Sequence, residues 1–418
     1  MKFLWSLSTR NLFRNRFRSI VSIAAIAISV AVVVFTRGLV TGLIDSSFSM
    51  YIKYETGHIK IINQEYRQKQ RLMSLNYPVD GFNGEGLTSM IQELEALEGI
   101  EMAVPRIKFA AMASEEEEVV GMQGWGLVPA KEKEFMALDK MIVEGRAVEP
   151  GQLEIVVGSA LLKTLNKEVG DKITLLYNTS FNSFKGATFK IVGRMESDLP
   201  MLNERVFFLP LDVAQKLLIM PDQAVELLLV TPGAEQASKY YPSVEKLFRE
   251  KGSLEKYSVL VWKKANALLS YMDVAIRIYD IVYIFLVLLS SIVVINTMIM
   301  IIKERTPEIG MMAALGMNSR EILQAFVLEG TVMGIVGSFA GSLLGGLITK
   351  VFSVYGINYG EAVKGMEDIM MNPVIYPSFS VNGMVFGFIL GVIITSAACI
   401  FPARRAARLQ PTEALRDL

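Results

Sequence analysis

The 22 residues IVYIFLVLLSSIVVINTMIMII (281–302) carry no charge, and they run directly into KERTPEIGMMAALGMNSREI (303–322). At 1.5 Å per residue such a run is about 33 Å long, enough to cross a hydrocarbon core of about 30 Å as one helix. Three further runs have the same character. Ser19 to Thr36 ends at Arg37 and continues through Gly38 to Ile44; Gly330 to Thr349 lies between Glu329 and Lys350; and Pro373 to Ala403 is uncharged throughout. The first run is too long and too rich in Ile and Val for a cleaved signal segment, so it reads as a retained helix.

These runs set the expected organisation: a membrane-surface helix at 1–18, a first span at 19–44, an extracytoplasmic domain at 45–275 and a second span at 276–302. A cytoplasmic loop follows at 303–323, then a third span at 324–350, a short outer loop at 351–378, a fourth span at 379–403 and a tail at 404–418. Orientation comes from the short flanks. Lys2, Arg10, Arg14, Arg16 and Arg18 precede the first span without an acidic residue, and Arg404, Arg405, Arg408 and Arg416 follow the fourth. Both termini are therefore expected in the cytoplasm. Arg10, Arg14 and Arg18 share one helical stripe with Phe13 and Phe17 beside it, a pattern suited to the inner membrane surface.

Composition agrees with a membrane protein. Of 418 residues 52% are hydrophobic and 20% charged, with a mean hydropathy of +0.38, whereas soluble domains carry about a quarter charged residues. Lys and Arg number 42, as do Asp and Glu, so there is no basic excess of the kind that binds nucleic acid. The lone Cys399 and lone His58 cannot build a Cys/His zinc site or an intrachain disulfide. No G-x-S-x-G, no H-E-x-x-H and no Gly-Lys dipeptide occurs, so no P-loop is present to cradle phosphates. No catalytic residue, metal or cofactor is expected in this chain. His58 reads as a strand-end imidazole, Glu115 to Glu118 as a solvated turn, and Cys399 as a small packing residue.

The domain at 45–275 reads as mixed α/β. Strand 57–63, helix 85–97 and strand 100–109 are echoed by strand 225–231, helix 234–250 and strand 257–262. Between them, short strand-like runs at 117–123, 154–158, 172–177, 187–194 and 205–209 suggest a β-rich insertion at about 111–221, with little helix except near 159–165 and 211–219.

The loop at 303–322 opens with the charged cluster Lys303, Glu304, Arg305 and Glu308, then runs through an apolar stretch closed by Gly316, Asn318 and Ser319 as a stop-and-restart signal. A short helix with exposed apolar residues suits a groove on a cytoplasmic partner. Glycines recur every four residues at Gly330 and Gly334, at Gly337, Gly341 and Gly345, and at Gly383, Gly387 and Gly391. They would let helices pack closely in lipid, within one subunit or between two. Asp273, Arg277 and Asp280 are spaced to pair along an exposed helix.

The opening RNLFRNRFRS, the loop ERTPEIGMMAALGMNSREI, the ending FPARRAARLQPTEALRDL and the segments VEGRAVEPGQLEIVVGSALLKTLNKEVGDKITLL and FFLPLDVAQKLL together resemble the FtsX-like permease family. The likeness is to its lipoprotein-releasing (LolC/LolE-type) and macrolide-exporter (MacB-type) ABC permeases, and it covers essentially the whole chain. It implies an α-helical membrane protein with four transmembrane helices and a large α/β extracytoplasmic domain, made of a discontinuous Porter part and an inserted β-rich Sabre part. It also implies that Glu304, Arg305, Glu308, Ile309, Gly310, Leu315 and Gly316 couple to a separate ABC ATPase. Two copies of that ATPase would bind ATP and Mg, beside a second copy of this permease or a related one. The work would be mechanotransmission from the cytoplasmic membrane, with a lipoprotein or another amphipathic molecule as substrate; the alternatives are efflux, or an FtsX-like scaffold acting on a periplasmic partner. The ATPase is expected on a separate chain and not fused at the N-terminus as in the macrolide exporters; the hairpin Tyr177 to Gly186 has no proline, where the carrier-recruiting lipoprotein permease has a proline-rich hook.

Overall fold

Helix α1 (Arg16–Tyr51) carries the first apolar run and continues past it, through a π-helical turn at Ile52–Thr56, until Gly57 (φ +57°) ends it. The computed structural model describes residues 16–115, 118–360 and 372–408. It forms two units: a helical one (up to Asp45, Met272–Asn358 and from Val374 on) and a sheet one (Ser46–Tyr271 and Tyr359–Pro373).

The sheet unit contains β1 (Ile59–Asn63), β2 (Met102–Glu115), β3 (Glu118–Leu127), helix α2 (Pro129–Phe135), β4 (Ile142–Gly145), β5 (Glu154–Gly158), β6 (Lys172–Asn178), β7 (Phe184–Met195), β8 (Val206–Pro210), β9 (Glu226–Val230) and β10 (Tyr257–Val261). Two sheets share one strand. The first half of β2, Met102–Arg106, pairs with β9, which continues to β1 and β10 as an open antiparallel sheet. Its second half, from Ile107 on, pairs with β3, and from there the order β3-β8-β5-β7-β6 returns to β2 at Ala111–Ala113. These six strands close on one another, which leaves no free edge in that ring. The β-rich insertion therefore starts inside a continuous strand, between Arg106 and Ile107, and not at 111.

The insertion also holds more helix than the sequence indicates: α2, Leu138–Met141 and Pro200–Arg205 join Ser159–Thr164 and Leu211–Leu218. Two of the additions begin at a proline in the first turn, Pro129 and Pro200, where its fixed φ favours helix. All three are too short to show a helical period.

The helical unit adds α3 (Ala267–Glu304), α4 (Thr306–Ala314), α5 (Ser319–Tyr355) and α6 (Val381–Ala406). With α1, the helices α3, α5 and α6 are long and apolar enough to cross a membrane. Each departs from the limits of its expected span: α1 passes residue 44, α3 starts nine residues before 276, α5 covers 319–355 instead of 324–350, and α6 ends three residues after 403. An apolar run marks what must lie in lipid, whereas helical backbone continues until a breaker. For α5 the breaker is Gly356 (φ +69°), and for α6 the start is capped by Ser380, whose Oγ accepts from the Gly383 N–H.

Candidate coupling site

Between α3 and α5 the chain turns twice in fourteen residues. Arg305 (φ −98°, ψ 8°) interrupts the helix, and Pro307 lies in the first turn of α4. Gly316 then takes φ +97°, a left-handed conformation that favours glycine. Asn318 closes the turn as a capping box: its side chain accepts from the Glu321 backbone, and the Glu321 carboxylate accepts from the Asn318 N–H at 2.9 Å. The stop-and-restart signal in the sequence is thus realised at Gly316 and Asn318.

The seven residues assigned to coupling do not share one face. Arg305, Ile309 and Gly310 are buried, with Ile309 packed in a cluster that includes Ile301, Ile322 and Phe326. Arg305 Nη1 lies 3.7 Å from Glu329 Oε2 on α5, with both side chains buried. Glu308 is half-buried, while Glu304, Leu315 and Gly316 are exposed. Leu315 is the extreme case, 88% exposed, and Met311 beside it on α4 is also exposed. One half of the motif therefore anchors α4 to the bundle, and the other half presents an apolar tip. Glu329, which in the sequence only delimits the third apolar run, is the missed member; a charge directly before the first glycine of the ladder is its sole signal.

The glycine ladder packs within the chain. A Cβ at Gly330 or Gly334 would meet Cys399 or Thr395 of α6, and one at Gly337, Gly341 or Gly345 would strike α1 at Ile23, Ala27 or Ala31. In the same way Gly387 and Gly391 face Val34 of α1 and Ser338 of α5. Ser342 Oγ donates to the Met384 carbonyl at 2.9 Å, adding a polar tie between α5 and α6. Gly383 is the exception, with its nearest neighbours at 3.8 and 3.9 Å, so it is not a packing glycine of the ladder. Gly38 and Gly42, not singled out from the sequence, share the spacing of four and lie against Thr349 and the backbone at 376–378.

Asp280 does not complete the expected chain of pairs with Arg277. Its carboxylate accepts from Arg37 Nη1 at 3.0 Å, and the Arg37 guanidinium covers the Phe386 ring at 4.0 Å. A charged pair between helices stabilises each charge better than an exposed pairing along one helix. Cys399 is buried against Gly330. His58, just before β1, accepts at Nδ1 from the Thr231 N–H at 2.9 Å. Arg10 and Arg14 lie outside the described residues, as do 409–418 of the tail; Arg18 is in the first turn of α1. Among the described residues no group of three or more His, Cys, Asp or Glu side chains could hold a metal ion.

Comparison with known proteins agrees with this architecture. The family model for the MacB-like periplasmic core domain matches residues 19–239, more than half of the chain, and that for the FtsX-like permease C-terminal region matches 281–411. The lipoprotein-releasing system transmembrane protein LolC of Neisseria meningitidis is 22% identical, over 78% of this chain and 81% of its own length. An uncharacterized ABC transporter permease of Methanocaldococcus jannaschii is 28% identical, over 66% of this chain and 65% of its own. The macrolide export ATP-binding/permease protein MacB of Vibrio parahaemolyticus is 31% identical over 37% of this chain, which spans only 20% of that protein. With four apolar helices, a single matched core domain and a matched C-terminal region, the chain belongs to the FtsX-like ABC transporter permeases of the LolC and MacB type.

Proposed function

We propose that this permease couples to a separate ABC ATPase through the tip at Met311, Leu315 and Gly316, and that it works by mechanotransmission to release lipoproteins from the outer leaflet of the cytoplasmic membrane. The carrying observation is Leu315: an 88% exposed leucine at the end of a short helix whose opposite side is anchored by Ile309 and Arg305. Apolar side chains presented on such a rigid tip suit a groove on a partner. Support for transmission comes from length. Helices α1 and α3 have 36 and 38 residues, about 54 and 57 Å at 1.5 Å per residue, well beyond a hydrocarbon core of about 30 Å. The arginine-rich flanks favour cytoplasmic termini, which puts the tip on the ATPase side and the sheet unit outside.

Lipoprotein as the cargo is supported by the LolC relatives. Carrier recruitment is not part of the proposal: the β6–β7 hairpin lacks proline, and its loop is pinned by Ser180, which donates to the Leu218 and Ile219 carbonyls at 3.0 Å.

The test is gentle-detergent purification from native membranes, with mass spectrometry of what accompanies the parent chain and Leu315→Asp. An ABC ATPase and lipoproteins should accompany the parent, and the ATPase should be lost from the variant while membrane insertion persists. An ATPase retained by Leu315→Asp sinks the coupling tip. An efflux adaptor in place of lipoproteins moves the cargo to export; a cell-wall hydrolase with no ATPase replaces the proposal by a scaffold.

A further inference from the structure

Three cations and three carboxylates lie together in the sheet unit. Arg106 and Glu132 are both fully buried and paired twice, Nε to Oε1 at 2.5 Å and Nη2 to Oε2 at 2.8 Å. The same guanidinium donates from Nη1 to the Tyr54 carbonyl at 2.8 Å and from Nη2 to the Lys53 carbonyl at 3.2 Å. Lys108 Nζ donates to the Tyr54 carbonyl at 3.2 Å and lies 2.7 Å from Glu55 Oε1 and 3.5 Å from Glu226 Oε2. Lys60 Nζ is 3.1 Å from Glu226 Oε1 and 3.5 Å from Glu55 Oε2. The Trp125 ring covers Lys108 at 4.4 Å.

Stability alone does not account for such a cluster, because buried ion pairs are commonly replaceable by well-packed apolar residues without loss. Its placement does. Lys53, Tyr54 and Glu55 form the π-helical turn that ends α1. Arg106 is the residue at which β2 leaves the open sheet for the closed ring, opposite Glu226 of β9, while its neighbour Ile107 is opposite Gly126 of β3. Lys60 comes from β1 and Glu132 from α2. Four elements, β1, β2, β9 and α2, thus gather around three consecutive residues directly after the first membrane helix. Apolar packing is non-directional, whereas a guanidinium fork fixes the carbonyls it binds in direction as well as distance.

We propose that Arg106, held by Glu132 and assisted by Lys108, is a positioning residue of the transport cycle: the joint that hands movement of α1 to both the open sheet and the closed ring. This rests on the transmission reading above. The test uses the full chain with its co-purified ATPase, in a Cys399→Ala background with spin labels at Phe181→Cys and Tyr355→Cys, two exposed positions. Label-to-label distances are compared with and without vanadate-trapped nucleotide. The double variant R106M/E132L removes the fork without leaving a buried charge alone; R106K keeps the charge but loses the fork, and serves if the double variant fails to fold. Under the proposal the parent changes distance with nucleotide, while the folded double variant still hydrolyses ATP and loses the change, and R106K shows a reduced one. An unaltered change in a folded variant overturns the joint and leaves transmission standing. A parent that hydrolyses ATP with no distance change overturns transmission, and the joint with it.

Discussion

In the helical unit Arg305 and Glu329 meet through one contact of 3.7 Å, inside a bundle where glycines bring backbones together. In the sheet unit Arg106 and Glu132 share two short hydrogen bonds, and the remaining donors of the fork reach the carbonyls of the turn that follows α1. The contrast follows from the solvent each unit has to fold in. Between helices in lipid there is no hydrophobic drive, so close approach of small residues supplies the packing and charges are kept few and paired. A domain in water gathers an apolar core without help, so buried charge can be reserved for places where direction matters.

The largest expected effect tests that contrast directly. Removing one partner from a buried, fully bonded pair costs about 3–5 kcal/mol because the other charge is left alone. Arg106→Met should therefore lower the thermal stability of the sheet unit severely, followed by limited proteolysis of the purified chain, and Glu132→Leu added to it should restore most of the loss. Glu329→Leu, which breaks a single longer contact, should cost the helical unit less. Equal losses from Arg106→Met and Glu329→Leu would erase the distinction between a joint and a simple pair.

Next in size is the glycine packing. A side chain at Gly341 would meet the Ala27 carbonyl oxygen at 2.3 Å and its Cα at 2.9 Å, atoms that cannot turn aside. Overpacking of this kind costs about 1–3 kcal/mol or more, so Gly341→Leu should reduce the melting temperature and the monodisperse yield in detergent. Gly383→Leu, where the nearest atom is 3.8 Å away, should leave both near the parent values. Tolerance of Gly341→Leu would mean that α1 and α5 do not pack at this crossing.

What the sequence discloses follows the range of the interaction involved. The four spans are legible because each is an uninterrupted apolar run, and the tip at 303–322 because Pro307, Gly316 and Asn318 are local signals. Helix ends are not legible: residues 267–276 of α3 (ALLSYMDVAI) and 46–51 of α1 (SSFSMY) mix polar and apolar residues as any helix in water does. Closure of the six-stranded ring depends on β6 finding β2, some sixty residues away, which no local pattern records. Arg106 and Lys108 alternate in β2 as a solvent-facing pair would; their burial depends on Glu55, Glu132 and Glu226, carboxylates spread across the domain. In the glycine ladder the spacing is plain while the partner helix is not, and so Gly383 looks like its neighbours until α1 and α5 are in place.

The smallest expected effect is on pH. Burial holds the His58 imidazole below its ordinary range, and its Nδ1 accepts the Thr231 N–H where β9 ends, so the folded chain favours the neutral ring. The unfolded chain binds a proton near the ordinary value of about 6.5. The stabilising contribution of a neutral His58 is therefore complete above that value and is lost as pH falls through the lower folded pKa. Because the ring is only half-buried, the slope should be shallow and confined to the sheet unit, read as a loss of melting temperature between pH 7 and 5. His58→Gln should flatten that slope while changing the melting temperature little at pH 7. An unchanged slope would place the acid sensitivity of the sheet unit at a group other than His58, and would separate the Thr231 hydrogen bond at the end of β9 from it.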